Sequence, residues 1–327
     1  MKYNAEYAKT LRENQKYDQL FAYCKNYEND SEAMVELATC YYYGYGIEKD
    51  YSKCFYYDKM AANRGNANGK ATLAYNYLRG IGTVKNYALA LDLLKQSVND
   101  GCPKAYRFLG YCYENGTGVE KDEVRAAELY AKAAEMGDCE AERYLGVCYR
   151  DEIGVEKDID KAFYLFLSSA QHGNIEACHD VGVCYKEGVG TDVNIENAVT
   201  YFEKCVKHVD NFNDIVLAEI WTNMAECYKE QKDNVRMVDA YNNALKLYKN
   251  MVDSNRSIGY AEYFMGEIRE EIFSGFCIVC NRGQTVTCEF QEIQGKWELE
   301  EIDCGYETCI HKGSCQIGTQ VRAFSSR

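Results

Sequence analysis

Apolar residues recur along this chain with helical spacing, and the spacing itself repeats. In residues 105–137, Ala105, Leu109, Cys112 and Tyr113 stand at i, i+4, i+7 and i+8, one face of a helix. A Gly116-x-Gly118 turn follows, then a second helical run, Ala126-Ala127-Glu128-Leu129-Tyr130-Ala131-Lys132-Ala133-Ala134. The same pattern returns every 36 residues, with Leu37, Leu73, Leu109, Leu145 and Val181 at one core position and Tyr41, Tyr77, Tyr113, Tyr149 and Tyr185 four places on. Between them stand Ala38, Ala74, Gly110, Gly146 and Gly182. A glycine inside a helix costs about 1 kcal/mol relative to alanine, so these imply close approach of a neighbouring helix backbone. The turns Gly44-x-Gly46, Gly80-x-Gly82, Gly116-x-Gly118, Glu152-x-Gly154 and Gly188-x-Gly190 supply the positive φ that ends the first helix. Asp50, Asn86, Asp122, Asp158 and Asn194 are N-caps for the second helix, which packs through Cys54, Ala90, Ala126, Ala162 and Ala198. Gly65, Gly101, Gly137 and Gly173 close it, and Pro103, the only proline, falls at a helix start, where its missing N–H does least harm. Hairpins of this length cannot bury their apolar faces alone and must stack.

The run small-x3-Leu-Gly-x2-Tyr, the Gly-x-Gly-Val turn, the Asp cap and the Lys-Ala-x2-Tyr-type second helix resemble the SEL-one-like repeat family, relatives of the tetratricopeptide repeats. The resemblance covers residues 33–209 in five copies. It implies an all-α, right-handed α-solenoid of stacked 36-residue hairpins that acts as an adaptor or scaffold, binding other proteins on its concave surface. Glu152 in place of the first glycine and the missing glycine after Val209 depart from the pattern. Some secreted bacterial members carry one disulfide per repeat, and the cysteines here show no such pairing.

Around the five repeats the pattern changes. Residues 1–32 form a helical cap, two short helices within 3–29. Residues 210–274 are degenerate tetratricopeptide-like helices, with partner helices over 234–251 and 259–273 and with Trp221 and Phe264 sealing the array. Residues 275–327 are a small cysteine-rich β module, with two short strands meeting near Gln294-Gly295. Six cysteines fall within 277–315. A Cys277-x2-Cys280 turn and a second cluster after a hairpin fit a structural zinc ribbon, with Cys277, Cys280, Cys309 and Cys315 as ligands and Cys304 or His311 as substitutes. An iron–sulfur cluster or unligated thiols are the alternatives.

Composition narrows the function. A formal charge of −14 argues against nucleic-acid or anionic-membrane binding. The start, Met1-Lys2-Tyr3-Asn4, lacks a signal-peptide core, and no stretch is apolar enough to span a bilayer, which together imply a cytoplasmic protein. Seventeen cysteines are then read as reduced thiols, most of them at core positions. With four histidines and none of the nucleotide, hydrolase or metalloprotease motifs, the chain carries no active site legible in the sequence.

The remaining candidate surface is the inner groove. Mapped by the repeat, it presents Tyr42, Tyr75 and Tyr111 as aromatic anchors in the early repeats and Arg107, Arg143, Arg150, His179 and Lys186 in the later ones. Arginine forks suit an acidic or phosphorylated protein segment. The competing reading pairs these cations with Glu114, Glu140 and Glu176 on a solvated face. The expected function is a non-enzymatic scaffold for protein–protein interaction. The runner-up is a metal- or redox-responsive regulator acting through the tail cysteines.

Overall fold

A computed structural model describes residues 2–209, 212–254 and 265, together with the backbone of 287–293 and 296–303. The chain divides into two units, Met1–Asn174 and Ile175–Arg327. In the first, helices α1 (Ala5–Glu13) and α2 (Tyr17–Asn26) precede four hairpins, α3 (Ser31–Tyr43) with α4 (Tyr51–Asn63), α5 (Ala67–Arg79) with α6 (Tyr87–Asn99), α7 (Pro103–Asn115) with α8 (Glu123–Glu135), and α9 (Cys139–Asp151) with α10 (Ile159–Gln171). The second unit holds α11 (Ile175–Glu187), α12 (Ile195–Val206), and the longer pair α13 (Asp214–Glu230) and α14 (Asn234–Asp253). The fold is an all-helical repeat of the solenoid class. Two strands, β1 (Thr287–Ile293) and β2 (Lys296–Asp303), pair antiparallel. The 259–273 helix and Phe264 of the sequence reading lie outside the described residues.

Each hairpin is closed by the same local chemistry. The side chains of Asp50, Asn86, Asp122, Asp158 and Asn194 accept an amide of the next turn, capping α4, α6, α8, α10 and α12. Their own amides donate to the carbonyls of Tyr41, Tyr77, Tyr113, Tyr149 and Tyr185, which ties each second helix to the end of the first. The first helices are capped on the same grid by Asp30, Asn66 and Asp138, whereas Cys102 makes no side-chain cap bond and is followed by Pro103 at N1. That second row of caps escaped the sequence reading.

The mid-helix glycines have a different cause from the one expected. A Cβ at Gly110 would lie 2.8 Å from the Tyr130 ring, and at Gly146 and Gly182 it would lie 2.6 Å from the rings of Phe166 and Phe202. The closest neighbour is an aromatic side chain of the paired second helix, joined at Gly110 by the backbone carbonyl of Ala126 at 3.3 Å. The ring position is itself periodic: Asp58, Leu94, Tyr130, Phe166 and Phe202. Where the partner is Asp58 or Leu94, the small residue is Ala38 or Ala74; where it is a ring, the residue is glycine. Volume is conserved across the pair, as close packing requires.

The second glycine of each turn serves stacking. A Cβ on Gly82 would meet the Tyr51 carbonyl oxygen at 2.0 Å, and one on Gly154 would meet that of Glu123 at 2.0 Å. Gly118 likewise meets Tyr87, so these turns of the first unit sit directly on the first residue of the preceding hairpin's second helix. Within the first unit, first helices also touch one another, α3 with α5 and α5 with α7, and form one face.

Candidate functional site

Partial burial raises the hydroxyl of Tyr43, at the end of α3, above the usual phenol range, and the Glu140 carboxylate on α9 raises it further. The first-helix face of this unit is the candidate surface.

Tyrosines line it. The Tyr17 ring stacks on Tyr45 at 4.1 Å, Tyr45 on Tyr43 at 5.1 Å, and Tyr43 meets Tyr42 edge-on at 4.7 Å. The Tyr75 hydroxyl acts on that of Tyr42, and the Tyr75 ring stacks on Phe108 at 4.9 Å. Burial and the neighbouring Tyr75 push the Tyr42 hydroxyl up to about 12. Tyr42, Tyr75 and Tyr111 are each half-buried. The sequence reading brought these three together; it passed over Tyr43 and Tyr45, which flank the turn glycines and look like loop residues in a linear scan.

The basic stripe is placed differently. Arg107 is only 5% exposed. Its Nε donates to Asp138 Oδ1 at 2.9 Å and its Nη1 lies 3.0 Å from Glu140, while its guanidinium sits 4.6 Å above the Phe108 ring. Asp138 also caps α9, so Arg107 joins one hairpin to the cap of the next and is not offered to a groove. Arg150 is held by Asp151 at 2.7 Å. In the second unit, Lys186 meets Asn223 at 2.6 Å and also pairs with Glu226. Arg143 and His179 are half-buried and engaged. For Arg107, Arg150 and Lys186, pairing with carboxylates replaces the expected free cationic row.

Other chemistry is structural. All eleven cysteines among the described residues are free thiols, and burial pushes those of Cys40, Cys112 and Cys148 up to about 12, far from a nucleophile's range. Among the described residues no group of three or more His, Cys, Asp or Glu side chains could hold a metal ion. Cys277, Cys280, Cys304, Cys309, His311 and Cys315 lie outside the described residues. A depression of about 860 Å³ at the hairpin tips, lined by Tyr113, Lys121, Asp122 and Arg125 among others, is open to solvent. Two of its three carboxylates are committed, Asp122 to capping and Glu123 to Lys121. No helix among the described residues is long and apolar enough to cross a membrane.

Stacked, capped hairpins define a helical-repeat protein, a fold consistent with a protein-interaction scaffold. The family model for the Sel1 repeat matches residues 31–66, 71–102, 103–138, 139–174 and 175–204, just over half of the chain. The chain belongs to the Sel1 repeat family. It is similar in structure to a Sel1 repeat protein from Oxalobacter formigenes, with 25% identity and a TM-score of 0.55 over 74% of this chain and 99% of that one. It also matches c5321, a protective antigen of uropathogenic Escherichia coli strains with an SLR fold, at 21% identity and a TM-score of 0.48, over 83% of this chain and 60% of that one. No curated protein matches the chain.

Proposed function

We propose that the protein is a non-enzymatic scaffold that holds a segment of a partner protein on the concave face of its first repeats. The observation that carries this reading is the line of half-buried tyrosines, Tyr42, Tyr75 and Tyr111, on three successive first helices, with Tyr43 exposed beside them. Tyrosine offers large contact area at low entropic cost and a hydroxyl to orient the partner. The mechanism is presentation: a preorganised curved surface binds without changing what it binds. Buried free thiols suit a reducing compartment, which fits a cytoplasmic protein.

Photo-crosslinking tests the surface. A benzophenone amino acid at Tyr43 or Tyr111 should capture discrete partner bands in native extract, and the same group at Tyr164, exposed on the second-helix side of the array, should not. Equal yields at all three positions would rule the concave face out as the binding surface.

For the tail we infer, from its cysteine spacing, a structural zinc on Cys277, Cys280, Cys309 and Cys315. The β1–β2 hairpin lies in sequence between the two cysteine pairs, as in a ribbon. Metal analysis of anaerobically purified full-length chain beside a chain ending at Ser274 tests it. One zinc per chain, lost with the tail, is expected; bound iron or no metal rejects it.

A further inference from the structure

Arg79 is the last residue of α5 and is exposed. Its Nη1 lies 3.4 Å from the Tyr111 hydroxyl on α7, and its charge acts on the Tyr42 hydroxyl on α3. The guanidinium thus reaches from the second repeat to the Tyr111 hydroxyl of the third, with its charge felt at Tyr42 of the first. Among the described residues no carboxylate lies within ion-pairing distance of Arg79, whereas Arg107, Arg150 and Lys186 each have one. A guanidinium carries five N–H donors in a planar fork, and one of them aimed at a phenol oxygen leaves the fork open. Each flanking phenol carries one O–H that can donate. Two coplanar oxygens, those of a carboxylate, accept from such a fork and from adjacent hydroxyls together. A phosphate dianion calls for a second cation, and nearby Arg107 is already neutralised by Asp138 and Glu140.

We propose that Arg79, with the hydroxyls of Tyr42, Tyr75 and Tyr111, is a carboxylate-binding subsite on the concave face, selecting partner segments that carry an aspartate or glutamate. The inference rests on the scaffold reading and names the chemistry that the scaffold recognises. The aromatic ladder around Tyr43 and Tyr75 receives the apolar residues beside that acid, and the fork fixes their register.

Panning a phage-displayed random dodecapeptide library on the full-length chain supplies the probe. Selected peptides should share an Asp or Glu at one position. A fluorescein-labelled selected peptide should bind Arg79→Gln about tenfold more weakly or worse. Changing its acid to the corresponding amide should weaken binding to the unaltered chain by the same factor, and the two losses should not add. Arg79→Lys should restore part of the affinity, and since Arg79 is exposed both variants should keep the parent melting temperature. An unenriched library, selected peptides without an acid, or equal affinity for Arg79→Gln would each overturn the subsite. Binding lost in Tyr43→Ala but untouched in Arg79→Gln would overturn it while leaving the scaffold reading standing. Binding confined to the phosphoserine form of a peptide would replace the carboxylate with a phosphate and refute the assignment.

Discussion

Asp58 occupies the slot that other hairpins fill with Leu94, Tyr130, Phe166 or Phe202, and it is only 2% exposed. Thr72 Oγ1 donates to it at 2.6 Å and Asn76 Nδ2 at 2.7 Å, with the Cys54 thiol at 3.8 Å. No cation pairs with it among the described residues, and burial pushes its carboxyl up to about 7. The folded chain therefore holds this proton more tightly than the unfolded chain, whose carboxyl titrates near 3.8. Its contribution to stability is full below about pH 4 and is lost as pH rises through about 7. Urea melts at pH 5 and pH 8 should show Asp58→Asn gaining on the parent by up to a few kcal/mol at the higher pH; a constant difference would mean that Asp58 ionises freely. Glu152 is a second strained residue, at φ +60 where the equivalent turns have glycine. Glu152→Gly should raise stability by about 1 kcal/mol in thermal melts. Arg107→Glu should cost about 3–5 kcal/mol, because it places a third carboxylate beside Asp138 and Glu140. The sequence reading had instead placed Arg107 among the cations of the open groove. Its partner Asp138 lies 31 residues away, in a row of caps that the sequence reading did not find. A single arginine in a linear pattern reads as surface because most are.

At the scale of the helical pair, the glycine-for-ring exchange is a packing rule with a direct test. Gly146→Ala improves helix propensity by about 1 kcal/mol but sets a methyl group 2.6 Å from the Phe166 ring. The net effect in denaturant melts should be a loss of about 1–2 kcal/mol. Phe166→Leu alone opens a cavity, yet the double variant reproduces the Ala74–Leu94 pair of the second repeat. It should recover most of both losses, and additive losses would break the rule. The helices, turns and second-helix caps were legible because Gly44, Asp50 and Leu37 and their equivalents recur on one grid. The partner of Gly146 was not read, although its column, Asp58 to Phe202, recurs on the same grid. The column changes chemical type from acid to aliphatic to ring, so a search for like residues skips it. Tyr42, Tyr75 and Tyr111 were legible as groove positions of three successive first helices, Tyr42 five places after the core leucine and the other two two places after it. Arg79 was not, since its neighbours Tyr42 and Tyr111 are 37 and 32 residues away and meet only once the hairpins stack.

Over the whole molecule, each hairpin is supported chiefly by its neighbours, so protection should follow position in the array. In the first unit, α1 and α2 lie at an edge, while α5 to α8 are packed from both sides. Hydrogen exchange followed by mass spectrometry should find amides of α5 to α8 slower than those of α1 and α2 by at least about tenfold. Uniform protection would make the unit a single cooperative block instead. The seating of Gly82 on Tyr51 and of Gly154 on Glu123 has a further consequence, for the gene rather than the fold. Both contacts fix where one hairpin ends relative to where the previous one turned. Losing or gaining a single codon between the two partners would carry that glycine off its seat. Such a chain can lengthen or shorten only by whole copies of 36 codons, through duplication or deletion in register. Past α12 no glycine pair stands at the expected interval, and the spacing from Cys184 to Cys227 grows to 43 residues. Insertions were tolerated there because nothing remained to be unseated.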